Sequence, residues 1–191
     1  MGVINVLDKH IAELIAAGEV VERPSSVIKE LVENSIDAGA KNITVEIKNG
    51  GTTFMRVADD GCGIYRDDIK KAFLRHATSK VKTANDLDTI STLGFRGEAL
   101  ASISAVSRLQ VITKNKNEEI GSCYEIEGGD EISLEEAGCP TGTTFVIRDL
   151  FYNIPARSKF LKKDVAEGNA VSALMDKIVP VSYTHLTLPT I

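Results

Sequence analysis

Four short segments of the 191-residue chain carry residue types that do chemistry at useful spacing. Residues 30–39 read Glu-Leu-Val-Glu-Asn-Ser-Ile-Asp-Ala-Gly. On a helix, Glu30 and Asn34 stand one turn apart and project together, with Asp37 continuing the row. A carboxylate beside an amide oxygen suits a hard cation and an activated water. Magnesium prefers such oxygen ligands and keeps several waters and phosphate oxygens around it. The plain alternative is a solvated polar helix face.

Residues 59–63 read Asp-Asp-Gly-Cys-Gly. An ionised Asp59 only accepts hydrogen bonds, so it can hold an amino group such as that of adenine. Gly61 and Gly63 would let backbone approach a flat ring. An ordinary Asp-Gly turn explains the same residues. Gly94-Phe95-Arg96-Gly97 precedes a helical stretch, and free N–H groups at a helix start bind phosphate; a capped loop is the alternative. Gly142-Thr143-Thr144 is the fourth segment. No Gly-rich loop ends in Lys-Ser or Lys-Thr, which excludes a P-loop, and no GxGxxG follows a strand.

The elements that must position these residues are legible from periodicity. Residues 11–20 are apolar and Ala-rich, a short helix ending near Gly18. Pro24, Ser25 and Ser26 start a second helix. Val27, Ile28, Leu31 and Val32 give it an apolar face, and Gly39 stops it. Ile43, Val45 and Ile47 alternate with polar residues as a strand. Asn49-Gly50-Gly51 turns it, and 53–58 returns. Asp67 and Asp68 open a helix with Ile69, Ala72 and Phe73 on one face. Residues 77–97 form a long, weakly patterned stretch, the kind of loop that often carries function. A helix at about 97–105 follows, then strands near 108–114, 121–127, 131–135 and 143–149, and a last helix at 166–179. This order predicts an α+β fold, helices on one face of a mostly antiparallel sheet.

Composition sets the frame. Hydrophobic content of 43% suffices for one domain with a real core. A net charge of −5 argues against a uniformly basic nucleic-acid binder. Cys62, Cys123 and Cys139 are odd in number and widely spaced, which disfavours a disulfide scaffold or zinc site and fits a reducing compartment. No signal peptide or membrane-spanning run is visible, so a soluble intracellular protein is expected. His76 reads as a helix-end residue rather than a catalyst. Arg157, Lys159, Lys162 and Lys163 read as a solvated helix end, with DNA contact as the alternative.

Taken together and in this order, the four segments resemble the ATP-binding motifs of the GHKL (Bergerat-fold) superfamily: DNA gyrase B subunits, histidine kinases, heat-shock chaperones and MutL-type proteins. Longer runs resemble the MutL-type mismatch-repair family in particular. These are residues 15–24 (Ile-Ala-Ala-Gly-Glu-Val-Val-Glu-Arg-Pro), 94–103 (Gly-Phe-Arg-Gly-Glu-Ala-Leu-Ala-Ser-Ile) and 149–157 (Asp-Leu-Phe-Tyr-Asn-Ile-Pro-Ala-Arg). The resemblance covers about residues 4–179.

The resemblance implies a two-layer α/β sandwich over 1–180 that binds ATP and hydrolyses it slowly with Mg2+, as a switch. Glu30 is then the general base and Asn34 the magnesium ligand. Asp59 holds the adenine amino group, supported by Thr144, with Gly61 and Gly63 beside the base. Asp37 joins the nucleotide site. Gly94, Phe95, Arg96 and Gly97 form the phosphate lid, and Thr78, Ser79 and Lys80 share its mobile region. It also implies an ATP-dependent homodimer, a MutS-type mismatch-recognition partner, weak DNA contact, and a bacterial cytoplasmic, nucleoid-associated setting without membrane. A transducer subdomain supplying a lysine, and a C-terminal dimerisation domain, would lie beyond this chain. Without that lysine the chain is alternatively a module that binds ATP with negligible hydrolysis. Residues 181–191 do not fit the family and are expected to be an atypical tail, although Thr184, Leu186 and Leu188 alternate like a strand.

Overall fold

A computed structural model describes residues 5–6, 8–75, 77, 97–178 and 185–187. Its elements in chain order are α1 (Lys9–Val20), α2 (Pro24–Asp37), β1 (Asn42–Lys48), β2 (Phe54–Asp59), α3 (Arg66–Ala72), α4 (Ala99–Ala105), β3 (Arg108–Lys114), β4 (Gly121–Glu127), β5 (Asp130–Ala137), β6 (Gly142–Arg148), α5 (Pro155–Ser158), α6 (Asp164–Ile178) and β7 (His185–Thr187). The strands make one sheet in the order β5-β4-β3-β6-β2-β1-β7. Neighbours are antiparallel except β1 and β7, which run parallel. This is the mixed, mostly antiparallel sheet with helices on one face that the sequence predicts.

Strand register explains why the helices choose one face. Ile43, Val45 and Ile47 of β1 lie opposite Asp59, Val57 and Met55 of β2. Those lie opposite Thr143, Phe145 and Ile147 of β6, and Leu109, Val111 and Thr113 of β3 continue the rows. Residues two apart share a face, so one face is apolar except at one end. There the row reads Ile43, Asp59, Thr143, Thr113. α2 covers the apolar part with Val27, Ile28 and Leu31 fully buried. Each such side chain contributes roughly 1.5–3 kcal/mol on leaving water. The other face carries cross-strand polar pairs, Arg56 with Glu46 at 2.9 Å and Gln110 with Glu125 at 2.7 Å.

Two local features differ from expectation, and a third, the turn after β1, falls at the residues expected for it. α1 runs through Gly18 to Val20. Gly18 is not a stop; it is a notch in which the Arg157 guanidinium lies, and any Cβ there would collide with it. The turn between β1 and β2 takes three successive left-handed residues, Asn49, Gly50 and Gly51. Pro155 starts a four-residue helix, α5, that periodicity is too short to reveal. Among the described residues, no helix is long and apolar enough to cross a membrane.

Candidate functional site

α2 holds Glu30, Asn34 and Asp37 partly exposed, on the border of the face that buries Leu31 and Ser35. The Glu30 carboxylate lies 3.6 Å from Lys29 Nζ, which also bridges Glu33 at 2.9 Å. Burial works to lower the Lys29 ammonium, but the Glu33 and Glu30 carboxylates outweigh it and raise it.

The far end of α2 is fixed to the loop after β2. Cys62 N–H donates to Ala38 O at 3.0 Å. Asp60 accepts from Lys41 N at 2.7 Å, Asn42 N at 2.9 Å and Asn42 Nδ2 at 2.7 Å, tying the start of β1 to the end of β2. These bonds, the Asn42 backbone N–H foremost, hold the Asp60 carboxyl below the usual carboxylate range. A Cβ on Gly61 would come within 2.8 Å of Ala38 Cβ. Gly63 has φ +71°, and a Cβ there would run into the Lys114 carbonyl. Both glycines therefore allow protein to approach protein, a use the sequence reading does not foresee.

Asp59 ends β2 on the helix-covered face. Gly61 N–H donates to its Oδ1 at 2.8 Å, and Ser35 Oγ lies 2.8 Å from its Oδ2. Ser35 Oγ is also 3.0 Å from Leu31 O. Its one proton has two acceptors, and the charged one makes the stronger bond. Burial pushes the Asp59 carboxyl up from its ordinary value, and the Asp60 charge adds to this; Gly61, Ser35 and the Thr143 backbone pull it back. An ionised carboxylate has about four acceptor positions, so these three donors leave Asp59 able to accept more.

The structure does not bring Thr144 to Asp59. β6 pairs Thr144 with Ala58 and Thr143 with Asp59, so Thr144 lies on the opposite face. Thr143 takes the place that the sequence reading gave its neighbour. Its Oγ1 is 3.0 Å from Thr113 Oγ1, which donates to Gly142 O at 2.9 Å and accepts from Ile64 N–H at 3.0 Å. Ser35, Thr113 and Thr143 were missed because only cross-strand register and helix packing reveal them.

Gly97 has φ +62°, and a Cβ on it would meet the Ala77 backbone. It leads directly into α4, which packs on α1. Thr78, Ser79, Lys80, Gly94, Phe95 and Arg96 lie outside the described residues, as does His76. The basic cluster divides. Arg157 donates to Val21 O at 3.0 Å and so is no solvated helix end, whereas Lys159, Lys162 and Lys163 are exposed. Two cavities, about 260 Å³ between α2 and α6 and about 430 Å³ beside the turn at Asp149, are lined by none of Glu30, Asn34 and Asp59. The candidate site is thus the polar end of the sheet face, bordered by α2 and the loop at Gly61.

Residues 22–137 match the family described as histidine kinase-, DNA gyrase B-, and HSP90-like ATPase. The DNA mismatch repair protein MutL of Agathobacter rectalis is 58% identical over 175 residues, 92% of this chain and 27% of that protein. That of Acidobacterium capsulatum is also 58% identical, over 92% of this chain and 26% of its own length. The chain thus spans about a quarter of the curated relatives it matches. Among solved structures, the Aquifex aeolicus MutL ATPase domain complexed with ADP superposes with a TM-score of 0.75 at 34% identity, covering 90% of this chain and 61% of that one. The N-terminal domain of a DNA repair protein gives 0.79 at 28% identity, covering 94% and 52%.

Proposed function

Because the chain belongs to the histidine kinase-, DNA gyrase B- and HSP90-like ATPase family, we propose that it is the ATP-binding and slowly hydrolysing switch of a MutL-type mismatch-repair protein. The observation that carries the nucleotide assignment is Asp59. It is a carboxylate held by Ser35 and Gly61 at the polar end of an otherwise apolar sheet face, next to the end of α2. Such a group accepts from the adenine amino group, and Thr143 stands beside it where Thr144 was expected. Glu30 holds the water that attacks the γ-phosphate and takes up its proton; phosphoryl transfer of this kind rests on positioning and charge stabilisation.

The donor set fits magnesium. Among the described residues no cluster of three or more His, Cys, Asp or Glu could hold a metal. A lone amide oxygen from Asn34 suits a cation that keeps waters and phosphate oxygens for its other positions. When bound, the ion supplies positive charge beside the phosphates. The lid assignments to Gly94, Phe95, Arg96, Gly97, Thr78, Ser79 and Lys80, and that of Asp37, rest on the family resemblance. So do an ATP-dependent homodimer, a MutS-type partner, DNA contact, and a bacterial cytoplasmic, nucleoid-associated setting. Titration calorimetry with a non-hydrolysable ATP analogue tests the core of the reading. Binding that strengthens with magnesium and weakens by about 1–3 kcal/mol in Asp59→Asn is expected; binding untouched by that substitution would remove Asp59 from the site.

A further inference from the structure

α2 begins with Pro24 at its first position but without a side-chain cap. Arg23 is its N-cap residue, makes no side-chain cap bond, and no acidic residue lies in the first turn. Charged side chains from the segment after β6 also hold this start. Arg23 Nη2 lies 3.0 Å from Glu167 Oε1. Glu167 is fully buried, and the same oxygen accepts from Lys162 N–H at 2.9 Å. Its Oε2 has no hydrogen-bond partner among the described residues. Two residues earlier, Val21 O accepts from Arg157, whose guanidinium fills the Gly18 notch of α1 and lies 5.9 Å from the Phe151 ring. The α1–α2 junction is therefore gripped from two sides by the segment after β6. A buried charge pair is a weak source of stability, because desolvation offsets much of its attraction. Its value is geometric.

The other end of α2 is fixed independently, through Ala38 and the loop at Gly61. Glu30 lies about two turns from Arg23, on the half of α2 set by the Glu167 pair. Asn34 and Ser35 lie on the half set by Asp59 and Ala38. We propose that Arg23 and Glu167, with Arg157 holding α1 beside them, are positioning residues for Glu30, aligning it without touching the nucleotide. This rests on the reading of Glu30 as the base.

The two ends of α2 predict a split. Releasing the Arg23 end should misplace Glu30 and leave the Asp59 end intact. Misplacement of about 1 Å from a distant change costs up to roughly a hundredfold in rate. The test measures single-turnover hydrolysis of γ-labelled ATP over long incubation, with analogue affinity by calorimetry, in this chain. Arg23→Met should slow hydrolysis about ten- to a hundredfold and change analogue affinity less than about threefold; Arg23→Lys should restore most of the rate. Since Arg23→Met strands a buried carboxylate, the double variant Arg23→Met with Glu167→Met removes both charges. It should regain thermal stability and stay slow. Recovery of rate together with stability would overturn the inference, as would equal losses of rate and affinity, or an unchanged rate in Arg23→Met. Unchanged hydrolysis in Glu30→Ala would instead overturn the reading of the base and this inference with it, and no hydrolysis in the unsubstituted chain would favour the module that binds ATP without turnover and overturn this inference alone.

Discussion

At Asp59 the demands of folding and of binding oppose each other. Its carboxyl is raised chiefly by burial. A carboxyl raised on folding contributes stability that is fully present below its ordinary value and is lost as pH rises through the raised one. At neutral pH the ionised group therefore weakens the unliganded fold. Asp59→Asn is expected to keep or raise the melting temperature at pH 7, with the gain vanishing in acid, while ATP binding falls by about 1–3 kcal/mol. A melting series across pH checks the first part and calorimetry the second; a large drop in stability at pH 7 would show that the carboxylate serves the fold. Glu30 makes the opposite case. It is partly exposed and lies 3.6 Å from Lys29 Nζ, so Glu30→Ala should leave nucleotide binding nearly intact. Hydrolysis should slow by about a hundredfold or more, as for a lost general base. Quenched-flow or long-time turnover assays read this out. The candidate acidic residues were legible from their spacing, because i, i+4 neighbours on one helix need no tertiary information. Thr143 was not, since adjacent threonines differ only by which face of the sheet they meet, and that is decided by pairing with β2.

The elements were legible where one periodicity governs a run. Ile43, Val45 and Ile47 specify β1 by alternation, and Val27, Ile28 and Leu31 specify α2 by helical spacing. Gly18 was misread as a helix stop because its reason lies in Arg157, remote in sequence, rather than in its neighbours. The glycines of the 59–63 loop teach the same lesson in a testable way. Gly63→Ala requires a left-handed alanine and drives its Cβ into the Lys114 backbone. Gly39 has a similar φ of +73° but nothing within 4 Å of its missing Cβ. Gly39→Ala should cost about 1 kcal/mol, a conformational penalty alone, whereas Gly63→Ala should cost more, on the order of 2–4 kcal/mol. Denaturant titrations of the two variants compare them directly, and equal losses would mean that the loop at Gly63 yields without resistance.

On the scale of the whole molecule, a ligand that binds only the native state stabilises all of it. ATP with magnesium at about a hundred times its dissociation constant should add about 2.7 kcal/mol. The resulting rise in melting temperature should shrink in Asp59→Asn, to what about 0.3–1.8 kcal/mol supports, and a rise left undiminished there would place the nucleotide elsewhere. The sheet's outer edge shows how so much exposed backbone is tolerated. β5 carries Asp130, Glu131, Glu135 and Glu136, and such charges discourage edge-to-edge pairing with other chains. The contact between Ala77 and Gly97 has a reach of a different kind. Two residues twenty positions apart in sequence thus meet through their backbones. Closing a chain between two such points costs entropy that grows only with the logarithm of the length between them, about 0.6 kcal/mol for each doubling. A change of length between the two points should therefore cost the fold little, whereas a change of residue there falls on the positions proposed for the phosphate lid.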